Sequence, residues 1–138
     1  MDELHTRFLG NAALSAGDFV HRAVEAGDLI VNIGHDVIEK PPFSMMRGGT
    51  EVVHVSFRSA EVDAVYFPQI EVVGDIANAV WQISEALDDT SPWDFTRLIT
   101  IREANEAQIV EGADDDCYPV YPQRLVAHIR KVVISLGQ

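Results

Sequence analysis

The chain holds one cysteine, Cys117, in 138 residues. That excludes an internal disulfide and a cysteine-rich zinc site, and it fits a reducing cytoplasm. Positive charge is also scarce: 10 Lys and Arg stand against 22 Asp and Glu, for a net charge of −12. Such a chain repels polyanions, so nucleic acid is not an expected partner. No apolar run approaches the ~18 residues of a membrane span. The opening "MDELHTRFLG" has two acids and no apolar core, unlike a signal peptide. A cytoplasmic protein with no membrane partner is expected. The glycine fingerprints GxGxxG and GxxxxGK[ST] are missing as well. No HExxH pairs the five histidines, so no metal site is expected from them.

What is present is the composition of an ordinary globular chain, 47% hydrophobic and 23% charged. The length suits one domain, or a domain with an appended piece, and can remove roughly two thirds of the unfolded surface from water. "SAGDFVHRAVEAG" reads as a helix with Ser15 or Asp18 at its start and Gly27 as its stop; Phe19, Val20, Ala23 and Val24 share a face. "DLIVNI" follows as a short strand, apolar on both faces, as a covered parallel strand would be. "KPP" at 40–42 breaks regular structure. "GGTEVVHVSF" gives a turn and a second strand, and "QIEVVGD" a third. "SAEVDAVY" between them predicts one or two helical turns capped by Ser59. Asp75 is placed to cap "IANAVWQISEAL", where Ile76, Val80, Ile83 and Leu87 recur at helical spacing. The expected fold is α/β: a partial three-layer parallel sheet of about three strands with flanking helices.

"DDTSP" at 88–92 has linker composition, and residues 93–116 predict a long, mostly polar helix. "YPVYPQ" is an extended stop. "PQRLVAHIRKVVISLG" is an amphipathic helix with Pro122 in its first turn. Its face of Leu125, Val126, Ile129, Val132 and Val133 is expected to dock on the rest of the chain or on a partner. A helical C-terminal extension at 88–138 therefore follows a sheet domain at 1–87.

The residues that carry chemistry gather at strand ends, where ligands of open α/β sheets bind. His35 and Asp36 follow the first strand, but neighbours on an extended chain point to opposite sides and do not naturally act as a dyad. Gly34, Gly48, Gly49 and Gly74 sit at strand boundaries. The strand–Gly74–Asp75–helix order can bring backbone close to a ligand, and equally Asp75 can simply cap. Ser44, Ser56 and Ser59 lack a nucleophile elbow. Cys117, beside three acids, is expected to have a raised pKa and weak nucleophilicity. Asp114, Asp115 and Asp116 can hold a cation loosely or form a solvated loop. Met45 and Met46 suit gap-filling or an apolar contact.

Three stretches, "LSAGDFVHRAVEAGDLIVNIGHDVIEKPPFSM", "VVHVSFRSAEVDAVYFPQIEVVGDIANAVWQI" and "IREANEAQIVEGADDDCYPVYPQRLVAHIRKVV", resemble in order the large subunit of acetolactate synthases, a thiamine-diphosphate-dependent family. The likeness covers nearly the whole chain. It implies the second half of the family's central, Rossmann-like domain plus the lead-in to the C-terminal, pyrophosphate-binding domain. It implies thiamine diphosphate and Mg2+ in the complete enzyme only, and FAD or ADP across the central domain. By position, Gly34, His35 and Asp36 would approach a flavin's linker, while Ser56, Phe57, Gly74, Asp75 and Ile76 would lie near the adenosine half. Where flavin-containing members carry an "ARFDD"-like run, this chain has "HDVIEKPP", without the arginine. The resemblance assigns no catalytic residue and no metal ligand to this chain.

Three roles follow. The first is a piece of an acetolactate synthase-like transferase, acting as scaffold and cofactor cradle, in which the complete enzyme joins two pyruvates with loss of CO2. The second is a free-standing, non-enzymatic domain that self-associates or binds a nucleotide. The third is a small enzyme using His35 and Asp36. The expected partner is the rest of the parent enzyme or another copy, in a homo-oligomer.

Overall fold

The computed structural model describes residues 5–11, 19–35, 44–87 and 93–136. Its elements are α1 (Phe19–Glu25), β1 (Leu29–Ile33), β2 (Glu51–Ser56), β3 (Ile70–Val73), α2 (Ile76–Ala86), α3 (Thr96–Val110) and α4 (Pro122–Leu136). The strands form one parallel sheet in the order β1-β2-β3. This is the α/β architecture expected from the sequence.

Register fixes what each face carries. Ile30 pairs with Val52 and Asn32 with His54, so these four share one face. Leu29, Val31 and Ile33 pair with Glu51, Val53 and Val55 on the other, continued on β3 by Ile70 and Val72.

The first face is closed by irregular chain. Met45, Val52 and Tyr66 are buried together, with Ile30 and Ala60 packed against them. Tyr66 reaches this core on the β2–β3 connection, where helical turns were expected at "SAEVDAVY" and none forms. Asp63 explains the difference. Its Oδ1 accepts from the backbone N–H of Val65 (2.8 Å) and Tyr66 (3.0 Å), a side-chain turn that competes with helix. The Phe67 N–H then donates to the Met45 carbonyl at 2.7 Å, tying the two covering loops together.

Met45 is held there by a turn that requires glycine. A Cβ on Gly49 would lie 2.2 Å from the Ser44 carbonyl oxygen. Of the methionine pair, Met45 fills the core while Met46 is exposed.

The second face is only partly covered. α2 returns to touch β2, and Val55 is buried there. Leu29, Val31 and Ile33 remain about half exposed, as does Ile70. The expectation that β1 is covered on both sides is therefore not met among the described residues: no described helix lies over its outer side chains.

Asp75 caps α2 as expected, accepting from the Asn78 N–H at 2.8 Å. α1 begins at Phe19, and its expected caps Ser15 and Asp18 lie outside the described residues, as do "KPP" and the 88–92 linker. α3 is shorter than the expected 93–116 span. Asp94 accepts from the Thr96 N–H at its start, and Gly112, at φ +74°, turns the chain after its end. α3 packs on α1, and its Arg102 donates to the Thr6 carbonyl at 2.8 Å. α4 starts at Pro122 as expected. Its apolar face is not docked on the described chain: Leu125, Val126, Ile129, Val132 and Val133 are 54% to 62% exposed.

Candidate functional site

Three parallel strands in sequence order deliver their carboxyl ends side by side. β1 leads into Gly34 and His35, β2 into Phe57, and β3 into Gly74, Asp75 and Ile76. The ladder runs one step past the strands. The Gly34 N–H donates to the Val55 carbonyl and the Gly74 N–H to the Ser56 carbonyl, both at 2.9 Å. Seven of the eight residues singled out from the sequence are thus brought to one edge of the sheet. Asp36 lies outside the described residues.

The two glycines differ. Gly34 has φ +66°, in the left-handed region that a side chain strains, and a Cβ there would sit 3.4 Å from Ile76 Cδ1. Among the described residues, none beyond its chain neighbours lies within 4 Å of where a Cβ on Gly74 would be. Packing among the described residues does not require glycine at 74.

An open groove of about 410 Å³ runs from there between the end of β3 and α2, lined by Val72, Gly74, Asp75, Asn78, Gln82 and Ile83 among others. Asp75 sits at its end, exposed, with one carboxylate oxygen engaged in the cap. A carboxylate there disfavours an anion at the α2 N-terminus and favours a hydroxyl donor. The Phe57 ring is 65% exposed, a flat apolar surface at the end of β2. His35 Nε2 is buried and has no hydrogen-bond partner among the described residues. No group of three or more potential metal ligands occurs among them either.

The β2 end is held from beneath by a buried chain of hydrogen bonds. Asn32 Nδ2 lies 2.9 Å from Tyr66 Oη, Tyr66 Oη 2.8 Å from His54 Nδ1, and His54 Nε2 3.0 Å from the Arg58 carbonyl. Because that carbonyl can only accept, Nε2 carries the proton. Nδ1 then accepts from the Tyr66 hydroxyl, whose oxygen accepts from Asn32. Burial pushes the Tyr66 phenol above its ordinary value; the Asn32 hydrogen bond opposes this, and the nearby Glu71 charge adds to it.

The network ends on Arg58, a residue the sequence reading passed over. Among the described residues of the three strand ends it is the only Lys or Arg. That scarcity was a usable signal in a chain of net charge −12.

Away from the sheet, the acidic cluster is engaged rather than open. Arg124 pairs with Asp116 at 2.7 Å and also donates to the Asp115 carbonyl. Asp115 Oδ1 accepts from the Cys117 N–H at 3.0 Å. The Asp115 carboxylate raises the pKa of the Cys117 thiol, as expected, with Arg124 opposing.

A family model described as "Thiamine pyrophosphate enzyme, central domain" matches residues 1–83, which hold the sheet and its carboxyl edge. Among curated proteins, the chain is similar to a catabolic acetolactate synthase of Raoultella terrigena, 26% identical over 132 residues, covering 94% of this chain and 24% of the relative. It is also similar to an acetolactate synthase of Bacillus subtilis, 28% identical over 79 residues, covering 56% of this chain and 14% of that one. The chain thus spans about a quarter or less of the curated relatives it matches.

Proposed function

We propose, for a chain that belongs to the thiamine pyrophosphate enzyme family through its central domain, a role as scaffold and nucleotide cradle of an acetolactate synthase-like enzyme. The complete enzyme condenses two pyruvates to acetolactate with loss of CO2. Thiamine diphosphate, held with Mg2+ by other parts of that enzyme, supplies the electron sink for decarboxylation. The observation that carries the reading is the match over residues 1–83, which contains the whole sheet and its carboxyl edge.

The residues at that edge suit the adenosine half of ADP or FAD. Phe57 offers a stacking surface for a base. Asp75 has an oxygen that can accept from ribose hydroxyls, and Gly34 and Gly74 admit close backbone approach. Arg58, exposed just after β2, is the one Lys or Arg among the described residues of the strand ends and would serve a phosphate there. His35, and Asp36 by sequence position, would border the rest of a flavin nucleotide. In this reading none of these side chains reacts; they bind and orient.

Two measurements test it. The native protein, captured from its source cells with an antibody to this segment, is weighed intact and assayed for acetolactate from pyruvate with thiamine diphosphate and Mg2+. Pyruvate turnover by a species several-fold heavier than 15.3 kDa is expected. An inactive species of 15.3 kDa would replace this reading with a free-standing domain, whose uncovered apolar faces would then lead to self-association. Separately, millimolar ADP should raise the melting temperature, because a ligand that binds only the folded state stabilises it. No shift with ADP, FAD or adenosine would remove the cradle.

A further inference from the structure

The turn that follows β2 has no ladder to hold it. Phe57, Arg58 and Ser59 are exposed, and among the described residues no backbone-to-backbone hydrogen bond ties 57–60 to the sheet. Two side chains on the covered face hold the turn instead. His54 Nε2 donates to the Arg58 carbonyl at 3.0 Å, and Glu71, opposite His54 in register, accepts from the Ala60 N–H at 3.3 Å. The His54 bond is the firmer of the two. His54 is buried, and its Nδ1 accepts from Tyr66 Oη at 2.8 Å, which fixes the tautomer that carries a proton on Nε2. The bond at Ala60 is longer and lies at the surface. Both grips are on main chain, so the side chains of the turn stay free. The Arg58 guanidinium makes no ion pair or hydrogen bond among the described residues, although acids outnumber Lys and Arg 22 to 10. Phe57 follows Ser56, whose carbonyl accepts from the Gly74 N–H, so ring and guanidinium leave neighbouring backbone positions at the carboxyl edge of the sheet.

We infer that His54 is a positioning residue that sets, at this edge, a preference for a phosphorylated over an unphosphorylated nucleoside. By holding the Arg58 carbonyl inward it keeps the Arg58 side chain beside Phe57, so that one ligand can meet both: its base the ring, its phosphate the guanidinium. The preference is sensitive to this grip because of the charge around it. The exposed Asp75 carboxylate at the same edge repels a phosphate, and an Arg58 that is no longer held leaves only that repulsion. Such a preference presupposes the nucleotide cradle proposed above.

The test is a pair of substitutions in the full chain. A glutamine amide reaches the place of the imidazole Nε2, and an asparagine amide the place of Nδ1. His54→Gln therefore keeps the donor to Arg58 and loses the contact with Tyr66, whereas His54→Asn does the reverse. NMR titration gives Kd for ADP and for adenosine. The unsubstituted chain and His54→Gln should bind ADP about tenfold tighter than adenosine, the worth of one charge-assisted bond, and His54→Asn should bind the two equally. Lost stability alone weakens both ligands together and leaves their ratio unchanged. Order parameters from 15N relaxation at 57–60 should be about 0.85 in the unsubstituted chain and in His54→Gln, and below about 0.6 in His54→Asn. A phosphate preference that survives in His54→Asn, or that is lost alike in both variants, would overturn the inference and leave the cradle standing. So would equal affinities in the unsubstituted chain. No binding of either ligand to that chain would remove the cradle and the preference with it. If neither variant folds, exchange of the His54 Nε2 proton in the unsubstituted chain decides. By reciprocity, ADP should slow it several-fold more than adenosine does, and equal slowing would overturn the inference.

Discussion

Replacing Tyr66 by Phe removes one oxygen and strands two partners. Tyr66 is 1% exposed and His54 3% exposed, so water does not take over either bond. His54 Nδ1 loses its donor inside the core, which costs about 1–3 kcal/mol. Asn32, half buried, loses an acceptor, for roughly 0.5–1.5 kcal/mol more. Ring packing in the Met45–Val52–Tyr66 cluster is unchanged, so the total is on the order of 2–4 kcal/mol. Urea unfolding reads this as a lower midpoint at constant slope. His54→Leu in the same background separates network from packing. Once Tyr66 is Phe, the imidazole no longer has a donor to lose. The double variant should be more stable than the sum of the singles implies, by about 0.5–3 kcal/mol. A Tyr66→Phe midpoint equal to that of the unsubstituted chain, or strict additivity with His54→Leu, would refute the network.

Four further outcomes are expected. Gly49→Ala forces a Cβ to 2.2 Å from a carbonyl oxygen, so the turn that carries Met45 must shift; thermal unfolding should report a loss of about 1–3 kcal/mol or more. Gly74→Val should leave the melting temperature almost unchanged, because its Cβ meets nothing beyond its chain neighbours among the described residues, while abolishing any shift caused by ADP. Above pH 10 the unfolded chain loses the Tyr66 proton while the folded chain, with its raised pKa, keeps it. Stability contributed by the buried phenol is therefore complete below pH 10.0 and falls as pH rises toward the folded value; alkaline urea titrations of Tyr66→Phe should lack that slope. Asp115→Asn should lower the Cys117 pKa and speed alkylation by iodoacetamide at pH 8, and an unchanged rate would remove Asp115 as the cause.

The parallel sheet, the Asp75 cap and the Pro122 start were legible because each rests on a local rule: β-branched runs, a carboxylate before a helix, a proline in a first turn. The β2–β3 connection was not. "SAEVDAVY" has helical composition, but Asp63 at its centre bonds forward to Val65 and Tyr66, and no periodicity count registers such a turn. Apolar residues on both sides of "DLIVNI" were read as two covered faces, although the pattern states only that both need cover. Gly34, His35, Ser56, Phe57, Gly74, Asp75 and Ile76 were singled out from the family resemblance, and the parallel order of the strands brings these positions to one end of the sheet. Arg58 was missed because an exposed arginine in a loop has no pattern until the groups around it are placed.

Connecting β2 to β3 by 57–69 without a helix also bears on how the molecule assembles. A helical crossover forms partly on its own and shortens the search for the next strand. Here the connection has no such head start, and Tyr66 becomes ordered only when β2 is there to receive it. β2 is bonded to both neighbours and is the central strand, with its pairings at a separation of 22 residues to β1 (Leu29 with Glu51) and 17 to β3 (Val53 with Ile70). Substitutions in the covering loops should accordingly act more on the rate of unfolding than on the rate of folding.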